Sequence, residues 1–292
     1  MGKTFKLSEN IDKYLNFMTF IKSASPLTIK HYRLDLAQAF KDDNDSQFKS
    51  SLNEVEVLAI ARAAFNRWAH LSLASRNRKA ATLKSFFSWA FDEGLTEKDL
   101  SIQITCPKVP KKLPHFLSVD EVLSVLKSFD EETPPREKIL FLLLYGGGLR
   151  ISEACGLQWK DVLLEQKVLR VKGKGSQERL IAIPDITLKA LKAWKKEASF
   201  NDFVFGEAAL NTRTAYEMVR QSGLRAGLLK PLHPHALRHS FATHLLSSGA
   251  NLRTLQELLG HKSLQATEKY THLGIDQLAR TMEGIHPLGK GK

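Results

Sequence analysis

One short stretch constrains the fold of this 292-residue chain more than any other. Residues 107–114, PKVPKKLP, hold three prolines and three lysines in eight positions. Proline fixes its own φ, lacks the N–H that helices and sheets need, and pushes the residue before it toward extended backbone. Neither a helix nor a central strand can run through such a segment, so it reads as an exposed linker. The expected organisation is a first domain over 1–106, the linker over 107–114, a second domain over 115–274 and a tail over 275–292. A length near 300 residues suits two domains of ordinary size.

The residues before the linker carry a helical period. Leu7, Ile11, Tyr14, Leu15 and Met18 fall at three- and four-residue steps, which predicts a helix with Ser8 as its N-cap. Ser25-Pro26 supplies a cap and a first-turn proline for a second helix carrying Ile29, Tyr32, Leu36 and Phe40. A third helix is expected from Asn53 to Ala69 and a fourth from Ser75 to Glu93, stopped by Gly94. Four amphipathic helices with short connections make a small bundle.

After the linker the pattern is mixed. Ser118 with Glu121 three residues on is a capping box, and an apolar helix over 136–145 runs into Gly146, Gly147 and Gly148. KVLRVKGKGSQERLIAIP then alternates apolar and polar residues on both sides of Gly173 to Ser176, the pattern of a β-hairpin with a basic tip. Past Pro184 the period is helical again, with Gly249, Gly260 and Gly274 as stops. The expected fold class is mainly α, a four-helix bundle followed by a mixed α+β domain with a small antiparallel sheet.

Charge narrows the function. Forty-three Lys and Arg against thirty-one Asp and Glu give +12, which points to a polyanion such as nucleic acid or an anionic membrane surface. Before residue 107 the balance is +3, so +9 lies in the second part. The longest apolar run, Ile139 to Leu149, is well short of the roughly 20 residues a spanning helix needs. The first fifteen residues, MGKTFKLSENIDKYL, lack the apolar core of a secretory signal, so a cytoplasmic protein is expected. Cys106 and Cys155 show no CxxC spacing, which argues against a zinc ribbon or a disulfide scaffold.

The densest polar cluster is 233–272, HPHALRHSFATHLLSSGANLRTLQELLGHKSLQATEKYTH. On a helix His235 and Arg238 stand at i,i+3 and can approach one ligand group, and the Arg fork matches phosphate oxygens. A zinc site at His235 and His239 is disfavoured, because the Glu of an HExxH helix is absent and no third ligand is evident. His233, His239 and His244 read as capping or packing residues. Arg150 ends the run of three glycines, which lets the backbone turn sharply and carry this side chain to a ligand. Lys172, Lys174 and Arg179 lie on the hairpin tip, where they can enter a DNA groove or reach a phosphate.

Taken together, these motifs resemble the tyrosine recombinases, most closely the Xer type, over nearly the whole chain. The resemblance rests on GLRISE around Arg150, the GKG tip with Lys174, HALRHSFATHLL with His235 and Arg238, LGHKSL with His261, and YTH with Tyr270. TIKHYRLDL and SRNRKAATLKSFFSWAFDEG are similar to the family's core-binding, SAM-like domain. It departs from the family pattern at the three glycines, at Ala154-Cys155 and at Ala266, none of which removes a catalytic group.

The resemblance implies that Tyr270 is a nucleophile that forms a 3′-phosphotyrosyl link. Arg150 and Arg238 would neutralise the transition state, Lys174 would act as general acid, His235 would move the tyrosine proton and His261 would bind a non-bridging oxygen. No cofactor and no metal is expected. The implied partners are a double-stranded DNA recombination site and further copies, as a homotetramer or a heterotetramer with a related recombinase. A DNA translocase of the division machinery is also expected from the family, and a membrane is not. Arg76, Arg78 and Lys79 are candidate DNA contacts at the start of the fourth helix, alongside Lys172 and Arg179. The implied role is resolution of chromosome or plasmid dimers through a Holliday junction. A phage or mobile-element integrase and a DNA-binding protein without strand exchange remain as alternatives, and a type IB topoisomerase is disfavoured by the compact length. The tail 275–292 would dock on a neighbouring protomer.

Overall fold

The computed structural model describes residues 5–41, 52–110, 116–172, 178–197, 202–250, 282–284 and 286–289. It divides into two compact units, Met1–Lys112 and Leu113–Lys292.

The first unit holds α1 (Leu7–Phe20), α2 (Pro26–Ala39), α3 (Glu54–Arg67) and α4 (Leu73–Asp92), followed by a short 3₁₀ turn at Leu100–Gln103. Ser25 caps α2 by accepting from Thr28 N, with Pro26 in the first turn. Asn53 and Glu56 form a reciprocal capping box on α3. The expected cap on α1 is corrected: the helix starts at Leu7, Lys6 is the flanking residue, and Ser8 lies inside the first turn. The start of α4 is corrected as well. It begins at Leu73, two residues earlier than the spacing suggested, and Ser72 caps it by accepting from Ser75 N at 3.2 Å. Gly94 closes α4 with φ +66°, a conformation that only glycine adopts at no steric cost.

Aromatic rings fill the bundle. Tyr14, Phe86 and Phe87 are fully buried, and the Phe86 ring meets Tyr14 at 5.4 Å, Phe40 at 5.9 Å and Trp89 at 6.0 Å. Each such ring removed from water contributes about 1.5–3 kcal/mol, which is what holds four short helices together.

The second unit contains α5 (Val119–Lys127), α6 (Pro135–Gly146), α7 (Ile151–Cys155), α8 (Asp185–Glu197), α9 (Thr212–Arg225) and α10 (Pro234–Ser247). The Ser118–Glu121 box opens α5, with Ser118 N donating to Glu121 at 2.7 Å and Glu121 N to Ser118 at 3.1 Å. Strands β2 (Val168–Lys172) and β3 (Glu178–Ala182) pair antiparallel, from Val168 opposite Ala182 to Lys172 opposite Glu178. A two-residue strand β1 (Val162–Leu163), not expected from the alternation, adds to β2 and makes the order β1-β2-β3. Helix α6 is buried on every side over Ile139–Gly146, so it forms the axis on which α8, α9 and α10 pack.

The described part of the tail packs within its own unit. Met282, His286 and Leu288 are buried in the chain's own second core, and Glu283 accepts from Asp185 N at 3.1 Å. His286 Nδ1 accepts from Leu288 N at 3.1 Å, and Nε2 donates to the Tyr145 carbonyl at 3.3 Å. That carbonyl belongs to the last turn of α6, where intrahelical partners run out. Burial of Met282 and Leu288 supplies the apolar gain, and a neutral His286 satisfies both ring nitrogens.

Candidate active site

The site is built at the end of α6. Gly148 adopts φ +60°, and a Cβ there would collide with the ring of Phe241. Glycine is therefore required by conformation and by space, and the chain leaves α6 in a sharp turn that delivers Arg150 to the start of α7. A Cβ on Gly146 would meet Thr187 Oγ1 at 2.6 Å, so the glycine run also admits α8.

Glu153 organises the charged groups. Its side chain is only 5% exposed and gathers arginines from three parts of the unit. The Arg150 backbone N–H donates to Oε2 at 2.7 Å and Arg150 Nη1 to Oε1 at 2.8 Å. From β3, Arg179 donates both ends of its fork, Nη1 to Oε1 at 2.9 Å and Nη2 to Oε2 at 2.8 Å. From α10, Arg238 Nη1 stands 3.9 Å from Oε2 and donates to the Gly148 carbonyl. Burial alone would raise the Glu153 pKa, but hydrogen bonds from Arg179 and Arg150 outweigh it and hold the carboxyl below its usual range. Desolvation, with the positive charge of Arg150 beside it, pulls Arg238 down to about 10, so it remains a cation at neutral pH.

His235 lies exposed in the first turn of α10, three residues before Arg238, where open backbone N–H groups favour an anion. Three other histidines, His233, His239 and His244, have structural partners. His233 caps α10 through Nδ1, which accepts from Ala236 N at 3.0 Å. The ring of His239 packs on Phe116, and His244 shares a 2.8 Å hydrogen bond with Tyr145 Oη. Arg150 and Arg238 are thus brought to one carboxylate with His235 on the same helix face as Arg238. Lys174, His261 and Tyr270 lie outside the described residues. Of the remaining tyrosines, Tyr14 and Tyr145 are buried and desolvation pushes their phenols up, the wrong direction for a nucleophile.

Two of the expected DNA contacts, Arg179 and Lys79, are taken up by internal partners. Arg179 is clamped on Glu153 and only 11% exposed, so it serves the arginine cluster from inside. Lys79 is buried, with its ammonium 3.0 Å from Asp35 and 4.9 Å from the centre of the Trp68 ring, because the helical turn points it into the bundle. Arg78 also binds Asp35, with Nη2 to Oδ1 at 2.9 Å, but its side chain stays 46% exposed, and Arg76 is half-buried. Since Arg76 N donates to Ser72 O, these residues sit past the open N–H groups of α4. Lys172 is exposed, 3.7 Å from Glu178. Sequence reasoning missed Glu153 itself. Its signal was an acidic residue at the third helical position after Arg150, the same spacing as Ser118 and Glu121.

Comparison with known proteins agrees with this architecture. Residues 115–275 match the phage integrase family and residues 11–94 match the phage integrase N-terminal SAM-like domain. The helical bundle and the following unit with its three-stranded sheet thus fall on the two domains of one family. The chain belongs to the phage integrase family. At 35% identity it is similar to the tyrosine recombinase XerC of Myxococcus xanthus, over 96% of this chain and 98% of the relative. It is 33% identical to the tyrosine recombinase XerD of Staphylococcus epidermidis, over 95% and 98%. Among solved structures, the XerH site-specific recombinase bound to difH substrate matches with TM-score 0.63 and 26% identity, over 86% of this chain and 77% of that one.

Proposed function

We propose that this chain is a site-specific DNA recombinase that cuts and rejoins strands through a covalent 3′-phosphotyrosyl intermediate, using Arg150, Lys174, His235, Arg238, His261 and Tyr270. The observation that carries the reading is the convergence of Arg150 and Arg238, from separate helices, on one buried carboxylate. Two fixed guanidinium groups supply the charge that a pentavalent phosphoryl transition state needs. In the proposed step the Tyr270 oxygen attacks phosphorus while its proton passes to His235, and the bond from phosphorus to the 5′-oxygen breaks as Lys174 protonates the leaving oxygen. His261 donates to a non-bridging oxygen. The phosphodiester is exchanged for a phosphotyrosyl bond of similar energy, so a 5′-hydroxyl can reverse the step without ATP.

The substrate is duplex DNA, supported by the +12 charge and by the DNA-bound state of the XerH relative. Further copies acting on two sites, passage through a Holliday junction and resolution of chromosome or plasmid dimers follow from the family resemblance. Arg76, Arg78 and Lys172 are the proposed phosphate contacts outside the reacting centre.

The test is incubation with a nicked duplex carrying a candidate site, in EDTA, followed by denaturing electrophoresis. Wild type is expected to form a covalent adduct, and Tyr270→Phe none. An adduct that persists in Tyr270→Phe sinks the mechanism.

A further inference from the structure

Glu153 is crowded in a way that one carboxylate rarely is. A carboxylate offers about four lone-pair positions. Four donors fill them here, two from Arg150 and two from Arg179, all between 2.7 and 2.9 Å. Arg238 stands at 3.9 Å, outside hydrogen-bond range of Glu153 but donating to the Gly148 carbonyl. Arg179 alone supplies two of the four bonds, and the neighbouring Glu178 starts β3 at the hairpin end.

We infer that Arg179 is a positioning residue for strand cleavage: by saturating Glu153, it keeps Arg150 and Arg238 directed at the phosphate. This rests on the proposed function above. Without Arg179, both carboxylate oxygens lose a bond at a place almost closed to water, where an unsatisfied charged acceptor is strongly disfavoured. The nearest remaining donors are those of Arg238 and Arg150. Arg150 is drawn further onto Glu153, and Arg238 swings onto it and leaves the Gly148 carbonyl. The arginines are then still present but turned inward, and an error of about 1 Å in such a group can cost about a hundredfold in rate. Among the described residues, the charged groups facing Glu153 are Arg150 on α7, Arg179 on β3 and Arg238 on α10, so a carboxylate freed of Arg179 answers chiefly to the other two.

The experiment measures single-turnover adduct formation on the nicked duplex from about pH 3.5 to 8 for wild type, Arg179→Met, Arg179→Lys and the double variant Arg179→Met with Glu153→Gln. Duplex affinity and thermal midpoint are measured on the same samples. Arg179→Met is expected to slow adduct formation about a hundredfold at neutral pH, with duplex affinity within about twofold because the Arg179 fork is taken up by Glu153. Arg179→Lys recovers part of the rate. The deficit shrinks as pH falls into the carboxylate range, because a protonated Glu153 no longer captures Arg238. The double variant regains about tenfold or more at neutral pH, since the competing charge is gone. If Arg179→Met does not fold, the lysine and double variants make the same comparison. A wild-type rate in Arg179→Met overturns the inference, as does a deficit that is independent of pH and unrelieved by Glu153→Gln. Absence of an adduct with wild type instead overturns the cleavage chemistry itself, and this inference with it.

Discussion

Arginines are abundant in a basic chain, and what distinguishes Arg150 and Arg238 is what holds them. Arg150 is tied through its backbone and its side chain to one carboxylate, and Arg238 through a carbonyl that points correctly only because Gly148 has positive φ. Gly148→Ala is therefore expected to destabilise the second unit by about 1–3 kcal/mol, read from denaturant unfolding, and to depress adduct formation further than stability alone explains. Arg238→Ala removes a fixed donor from the transition state and is expected to slow cleavage about 10²–10³-fold in a single-turnover assay. The placement of His235 and Arg238 on one helical turn was legible from their i,i+3 spacing, and that of Arg150 from the glycine run before it. Arg179 and Lys79 were not, because each is defined by a buried carboxylate 26 or 44 positions away, and charge in a sequence does not reveal which way a side chain points.

At the scale of elements, α2 and α4 are joined by a buried polar knot. Asp35, 2% exposed, accepts from Arg78, Lys79 and Thr82. Lys79→Met is expected to lower bundle stability by about 1–3 kcal/mol, while the salt dependence of DNA binding stays unchanged; a shallower salt slope in that variant would restore Lys79 as a phosphate contact. The tail segment makes a pH-dependent prediction. Burial depresses the His286 pKa to about 4, so its protonation favours the unfolded chain. Its share of stability is intact above the unfolded value near 6.5 and is lost as pH falls toward 4. His286→Gln should flatten the denaturation midpoint across that window, and an unchanged slope would contradict the buried neutral ring. Helix existence was legible here from period and caps, as at Ser25, Ser118 and Gly94. Strand β1 was not, because two residues carry no alternation and their pairing to β2 is set by the tertiary fold.

For the whole molecule, the excess charge divides between two tasks. Under the proposed function a few cations would serve the reacting phosphate and the remainder would form a sequence-independent hold on DNA, expected to weaken about 10³-fold or more between roughly 50 and 200 mM salt if six or more phosphates are contacted. The two-unit organisation was legible from three prolines in eight residues, which no regular element tolerates. In the proposed mechanism Tyr270 carries the covalent bond to DNA. Digestion of the nicked-duplex adduct with trypsin, followed by mass spectrometry, tests it most directly, since cleavage after Lys269 and Arg280 isolates YTHLGIDQLAR. A nucleotide mass is expected on that peptide, assigned to Tyr270. A nucleotide on any other residue would contradict it.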